Sequence, residues 1–165
     1  MSWEGWHFLA EDRRLRLGDR ELVVVGETFR AEGDLELCNN GMHASKRILD
    51  ALQYAPGPIC CKVVLGGQII EDTDKTVGRE RTVLAMVDVT RILHEFACWC
   101  AEEALKLVPT PDPRSVAAIQ AKRDWLAGKI SDDDLAAARD AAWAAQNKRL
   151  TEMVEEEIRR QGQAG

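Results

Sequence analysis

Cys38 and His43 lie close together in the chain, and His94 and Cys98 lie four apart in the segment HEFAC. On a helix the second pair falls one turn apart on the same side. Two thiolates and two imidazoles form a complete tetrahedral zinc set, so Cys38, His43, His94 and Cys98 are the candidate metal quartet. The two pairs must meet across a long stretch of chain, and the spacing is not that of a standard finger. The expectation is therefore no metal and no cofactor. HEFAC departs from HExxH, which excludes the metalloprotease motif. The acidic run Glu71-Asp72-Thr73-Asp74-Lys75 offers oxygen ligands for a hard cation. It lacks EF-hand spacing and reads as a solvated turn. The chain has no Walker A motif, no dinucleotide glycine fingerprint and no nucleophile elbow. Ser45 has no evident triad, and His43 is too near it in sequence to be taken as its base.

The elements that position these groups begin with Leu35 to Leu65. Leu35 and Leu37 alternate with Asp34 and Glu36, the period of a half-buried strand. Asn39-Asn40-Gly41 is a turn signal, because Asn tolerates left-handed backbone and Gly adopts it without steric cost. Ser45 is placed to cap a short helix with Ile48, Leu49 and Leu52 on its apolar face. Pro56-Gly57-Pro58 stops that helix. Ile59 to Leu65 is rich in β-branched residues and reads as a buried strand closing at Gly66-Gly67. Cys60 and Cys61 must point to opposite faces, one of them to the core.

Further strands are expected at Trp6 to Ala10, at Glu21 to Arg30 with a break at Gly26, at Gln68 to Glu71, and at Arg81 to Val87. The last has an apolar run that suggests burial on both faces. From residue 89 the pattern is helical. In Val89 to Val108, the residues Leu93, Phe96, Ala97, Cys100, Ala104, Leu107 and Val108 share one side, which reads as the core face. Phe96 and Cys100 are expected to pack on the strand Arg81 to Val87. Ile92 and Trp99 fall outside that face and are the candidate partner-binding residues if no later helix covers them. A proline-rich linker follows at Pro109 to Pro113. Asp112 or Ser115 caps the next helix and Gly128 ends it. Ser131 and three aspartates start the last helix, which runs to about Arg160. Leu135, Ala142, Leu150 and Met153 form its apolar stripe.

At 165 residues, 45% hydrophobic and 30% charged, the chain is globular in composition. Its net charge of −6 argues against duplex DNA as a partner. No apolar run is long enough to span a membrane, and the N-terminus lacks the pattern of a signal peptide. The five cysteines then read as reduced thiols, and the expected location is the cytoplasm.

Two resemblances bear on function. The order of His7 in WHF, the GMHAS segment and Glu80 in RERTVL resembles that of an ADP-ribosyltransferase-like fold. That resemblance implies His7, His43 and Glu80 as catalytic candidates, with a carboxylate stabilising a developing oxocarbenium ion. The central segment departs from it by lacking a Ser-Thr-Ser motif, and the nicotinamide-side aromatic has no equivalent beyond nearby Tyr54. More extensively, WHFLAEDRRLRLGDRELVVVGETFR, LELCNNGMHASKRILDALQYAPGPICCKVVLGGQII, DKTVGRERTVLAM and LHEFACWCAEEAL resemble an uncharacterised domain family of phage and bacterial genomes, over Trp6 to Leu107. This resemblance implies a phage setting and carries no catalytic residue.

The expected architecture is α+β, with a mainly antiparallel sheet in the N-terminal half packed on a central helix and followed by a C-terminal helical hairpin. Residues 1–108 are expected as the α+β domain and 109–165 as its helical extension. The expected function is that of a small soluble phage-type accessory protein that binds a host or phage macromolecule. The expected partner is a protein, a counter-defence role is the specific version, and a homo-oligomer is compatible with the sequence. The alternative is an ADP-ribosyltransferase-like or other nucleotide-directed enzyme with a cleft near GMHAS.

Overall fold

The computed structural model describes residues 3–16 and 20–162. The architecture is α+β: an antiparallel sheet in the N-terminal half is followed by helices. The chain divides into two compact units, residues 1–90 and 91–165. All but the first residue of the helix after residue 89 falls in the second of these units.

The first unit contains β1 (Trp3–Leu9), β2 (Thr28–Arg30), β3 (Met42–Ala44), α1 (Ile48–Gln53), β4 (Ile59–Glu71) and β5 (Thr76–Asp88). The sheet runs β1-β4-β5-β2, and β3 also pairs with β5. β4 and β5 form one long hairpin about the acidic turn, where the Asp72 N–H donates to the Lys75 carbonyl at 2.9 Å. Gly66-Gly67 does not end β4 as expected. The register shifts there, and a Cβ at Gly67 would strike the Arg79 Cβ at 2.7 Å. The glycines thus host a bulge that bends the strand without breaking it. Just past β3, Ser45 forms a bridge with Trp6, through backbone hydrogen bonds of 2.8 and 2.9 Å. This brings the strand path back onto β1 and folds the sheet around its core. Ser45 is therefore a strand residue and not a cap; α1 starts after Arg47, with no side-chain cap.

Leu9, Phe29, Ile59, Val63, Leu65 and Val83 are central members of that core. Several expected faces differ. Leu35 and Leu37 lie in a turn, with only a Glu36–Asn40 bridge. Of the stretch 21–30 only β2 is strand; Leu22 bridges to Arg14 instead, and Val23 alone of the valine run is buried. In α1 the buried residues are Asp50 and Ala51, while Ile48 and Leu49 are exposed. Arg47 makes this possible by gripping the Asp50 carboxylate at 2.6 and 2.9 Å. β5 is not buried on both faces, since Leu84 and Val87 are exposed. Cys60 and Cys61 are both buried, so neither faces solvent as expected for one of them, and Phe8, opposite Cys60 on β1, is buried as well.

The second unit contains α2 (Thr90–Leu105), α3 (Pro113–Leu126) and α4 (Asp132–Gly162). The caps are those the sequence implies. Asp112 accepts from the Arg114 N–H, Gly128 takes φ +70° after α3, and Ser131 and Asp134 exchange hydrogen bonds at the start of α4. The apolar faces are not as expected. Phe96, Cys100 and Leu107 are exposed, and Cys98 is the buried residue of α2. The reason is α3: Trp125 meets His94 edge-on at 5.6 Å, and Arg123 grips Glu102 at 2.7 and 2.9 Å. The covered side of α2 thus runs His94, Cys98, Glu102. In α4, Ala142 and Ala145 are buried, whereas Leu150 and Met153 are exposed. The 14 residues of α3 can line only part of a 31-residue helix.

Candidate functional site

β1, β3 and β5 bring His7, His43 and Arg81 together. Arg81 follows Val83 in the two-residue period of β5, so its side chain enters the core, where it is 4% exposed. Its Nη1 donates to the His43 carbonyl at 2.8 Å. His7 also hydrogen-bonds the His43 backbone. Burial, then the Arg81 charge, then His43 hold the His7 pKa well below its ordinary value, against that hydrogen bond.

His43 is locked by its own turn. Its Nε2 accepts the Cys38 backbone N–H at 3.0 Å, and its Nδ1 lies 3.0 Å from the Gly41 carbonyl. A backbone N–H can only donate, so Nε2 is unprotonated and Nδ1 carries the proton toward Gly41. Burial lowers the His43 pKa despite the Gly41 hydrogen bond, and Arg81 and Lys75 add to the lowering. With both ring nitrogens committed to backbone, His43 is neither placed as a base for the Cys38 thiol nor free to ligate metal. Cys38 sits in left-handed backbone, φ 67°. Its thiol hydrogen-bonds Lys75, whose ammonium lies 5.0 Å from the Tyr54 ring centre. The Tyr54 hydroxyl donates to Asp74 at 2.6 Å, which raises the Tyr54 pKa.

Glu80 does not join His7 and His43. It alternates with Arg81, so it points to the opposite face of β5. There it lies over Gly66 and pairs with Arg30 at 3.2 Å. The metal quartet is divided, with Cys38 and His43 in the first unit and His94 and Cys98 in the second. Among the described residues no group of three or more His, Cys, Asp or Glu side chains is placed to hold a metal ion. Arg81 is not among the candidates the sequence suggests, because a charged residue at the start of a strand does not by itself point to the core. Its phase with Val83 was the available signal.

On the second unit, Ile92, Phe96 and Trp99 stand at i, i+4 and i+7, one face of α2. They are 57%, 36% and 52% exposed. The rings of Phe96 and Trp99 stack with centroids 5.8 Å apart. Ion pairs Arg91–Glu95 and Lys106–Glu103 border the strip.

A DUF7666 domain, a domain of unknown function, is found at residues 18–95. No curated protein and no solved structure matches the chain. The DUF7666 span takes in β2 to β5 and the first turn of α2, so it includes Cys38, His43, Arg81 and Ile92. His7, Phe96 and Trp99 lie outside it, and the span is narrower than the resemblance over Trp6 to Leu107 implied. No helix among the described residues is long and apolar enough to cross a membrane.

Proposed function

We propose that this protein is a non-enzymatic binding module whose helical unit captures a protein partner on the Ile92–Phe96–Trp99 strip. The observation that carries the reading is the exposure of these three large apolar side chains on one face of α2, two of them stacked. An apolar helix face of this length suits a hydrophobic groove on a partner. The flanking ion pairs supply the polar rim usual around such a centre, and the net charge of −6 disfavours duplex DNA. The commitment of both His43 nitrogens to backbone, and the turning of Glu80 away from them, favour this reading over the transferase-like one. A counter-defence role would make the partner a bacterial defence protein; that narrower version rests on the phage-family resemblance alone.

The test is the pair Phe96→Ala and Trp99→Ala in the full chain. Both side chains are already partly in water, so each variant should lose only about 1–2 kcal/mol, less than the 3–5 usual for a core aromatic. Partner affinity, measured by titration after crosslinking identifies the partner, should fall about 30-fold or more if the strip is the hot spot. Variants that fold and bind like the wild type would refute the reading. Loss of a dimer in sedimentation would make the partner a second copy of this chain.

A further inference from the structure

The second half of α4 outruns the helix that packs on it. The 31 residues of α4 span about 46 Å and the 14 of α3 about 21 Å. Ala142 and Ala145 are buried, and beyond them every described side chain from Gln146 to Arg159 is exposed. A helical segment of this length is only marginally stable alone in water, because most helix stability comes from packing an apolar face.

Such a face is present. Trp143, Leu150, Val154 and Ile158 are each more than half exposed. At about 100° per residue they fall within an arc of about 80°, on a different side of the helix from Ala142 and Ala145. The stripe is therefore not a continuation of the face already packed within the unit.

The charge pattern says what covers it. The segment reads in blocks: Lys148-Arg149, then Glu155-Glu156-Glu157, then Arg159-Arg160. Within one helix, Arg149–Glu152 at 3.7 Å and Arg159–Glu155 at 3.9 Å are long, exposed ion pairs, which contribute little. Two copies laid parallel and in register would set the acidic block against itself. Turned antiparallel about Glu152, they place Arg149 of one copy level with Glu155 of the other, Lys148 with Glu156, and Leu150 with Val154. Trp143 then comes level with residue 161, so the two helices overlap over about 28 Å. The two-fold axis makes each of these juxtapositions twice.

We infer that α4 is a self-association helix. Two copies of the chain pair antiparallel through the stripe of Trp143, Leu150, Val154 and Ile158, and the blocks at Arg149 and Glu155 set direction and register. This surface is on a different helix from the Ile92–Phe96–Trp99 strip. The dimer carries that strip twice, which favours a multivalent partner.

The experiment measures the dimer Kd of the full chain by sedimentation over a concentration series, with far-UV circular dichroism at each step. The wild type should dimerise and gain helix signal as it does so. Leu150→Gln keeps a good helix former at an exposed position, so the chain stays folded, and it should raise Kd about 30-fold or more because both copies lose the side chain. Arg149→Glu should raise Kd about fivefold at low salt, and adding Glu155→Arg should restore it. In a parallel pair Arg149 meets its own counterpart, so no such rescue follows. Trp99→Ala should leave the dimer intact, which separates this surface from the α2 strip. A wild type that stays monomeric overturns the inference, as does a dimer that survives Leu150→Gln or dissolves with Trp99→Ala. Loss with Leu150→Gln but no rescue by the charge exchange overturns the antiparallel pairing.

Discussion

Replacing Gly41 by alanine puts a methyl group into the turn that carries His43, and the cost follows from two separable terms. Gly41 holds φ +133°, where side chains are rarely found, and an alanine there is strained by about 1–3 kcal/mol. Its Cβ would also collide with the Val77 Cγ2 and approach the Leu35 Cδ2 to 3.0 Å. Val77 is fully buried, so it has little room to withdraw, and overpacking of this kind adds about 1–3 kcal/mol. The expected total is about 2–6 kcal/mol, a large share of an ordinary domain's stability. Gly26 supplies the control. It has φ +92° with nothing within 4 Å of its would-be Cβ, so Gly26→Ala should cost the strain alone, about 1–3 kcal/mol. With a urea m-value of about 2 kcal/mol/M, the midpoint should fall about 1–3 M for Gly41→Ala and about 0.5–1.5 M for Gly26→Ala. Amide exchange of β5 during the titration restricts the reading to the first unit. Equal midpoints for the two variants would refute the collision with Val77, and a Gly41→Ala protein as stable as the wild type would refute the turn geometry altogether.

The three histidine pKa values are all lowered, that of His7 most, so the folded protein favours neutral rings. Below about pH 6.5 the unfolded chain takes up protons that the folded chain resists. Stability should therefore be full above that pH and decline as pH falls toward the folded values, with His7→Gln flattening the slope most; urea midpoints that stay level from pH 7 to pH 5 would contradict this. The Cys38, His43, His94 and Cys98 quartet predicts its own negative: elemental analysis should find no stoichiometric zinc, and a chelator should leave the melting temperature unchanged. One equivalent of zinc lost with a drop in melting would reverse that reading.

How much of this was legible in advance depends on whether the signal is local. The Asp112 cap, the Ser131 start, the Gly128 stop and the Asn39-Asn40-Gly41 turn are each readable because they act through backbone a few residues away. The α+β order follows from the same kind of signal, a two-residue period giving way to a helical one after residue 89. The strand expected around Leu35 and Leu37 does not form, and of the interrupted strand region at 21–30 only Thr28–Arg30 does, because alternation says only that a strand could pair. It does not say that a partner edge is free.

What the tertiary structure decided is which face of each element meets a neighbour. The helix α2 has apolar residues on more than one side, and the arrival of Trp125 and Arg123 from α3 covers His94, Cys98 and Glu102 and leaves Phe96 with Trp99 outside. Arg81 and Glu80 are adjacent charged residues that look alike in the sequence. The register of β5 against β4 and β2 sends one into the core with Trp3 and the other onto Arg30. The His43 ring is committed by two backbone groups of its own turn, yet it sits beside Arg81 and His7 only because β3 docks on β5 and reaches β1. Composition and spacing thus determine the elements, their caps and their order, because those depend on short-range backbone sterics and hydrogen bonding. Burial, charge pairing and tautomer depend on groups that arrive from distant parts of the chain, and only the folded sheet brings them within reach.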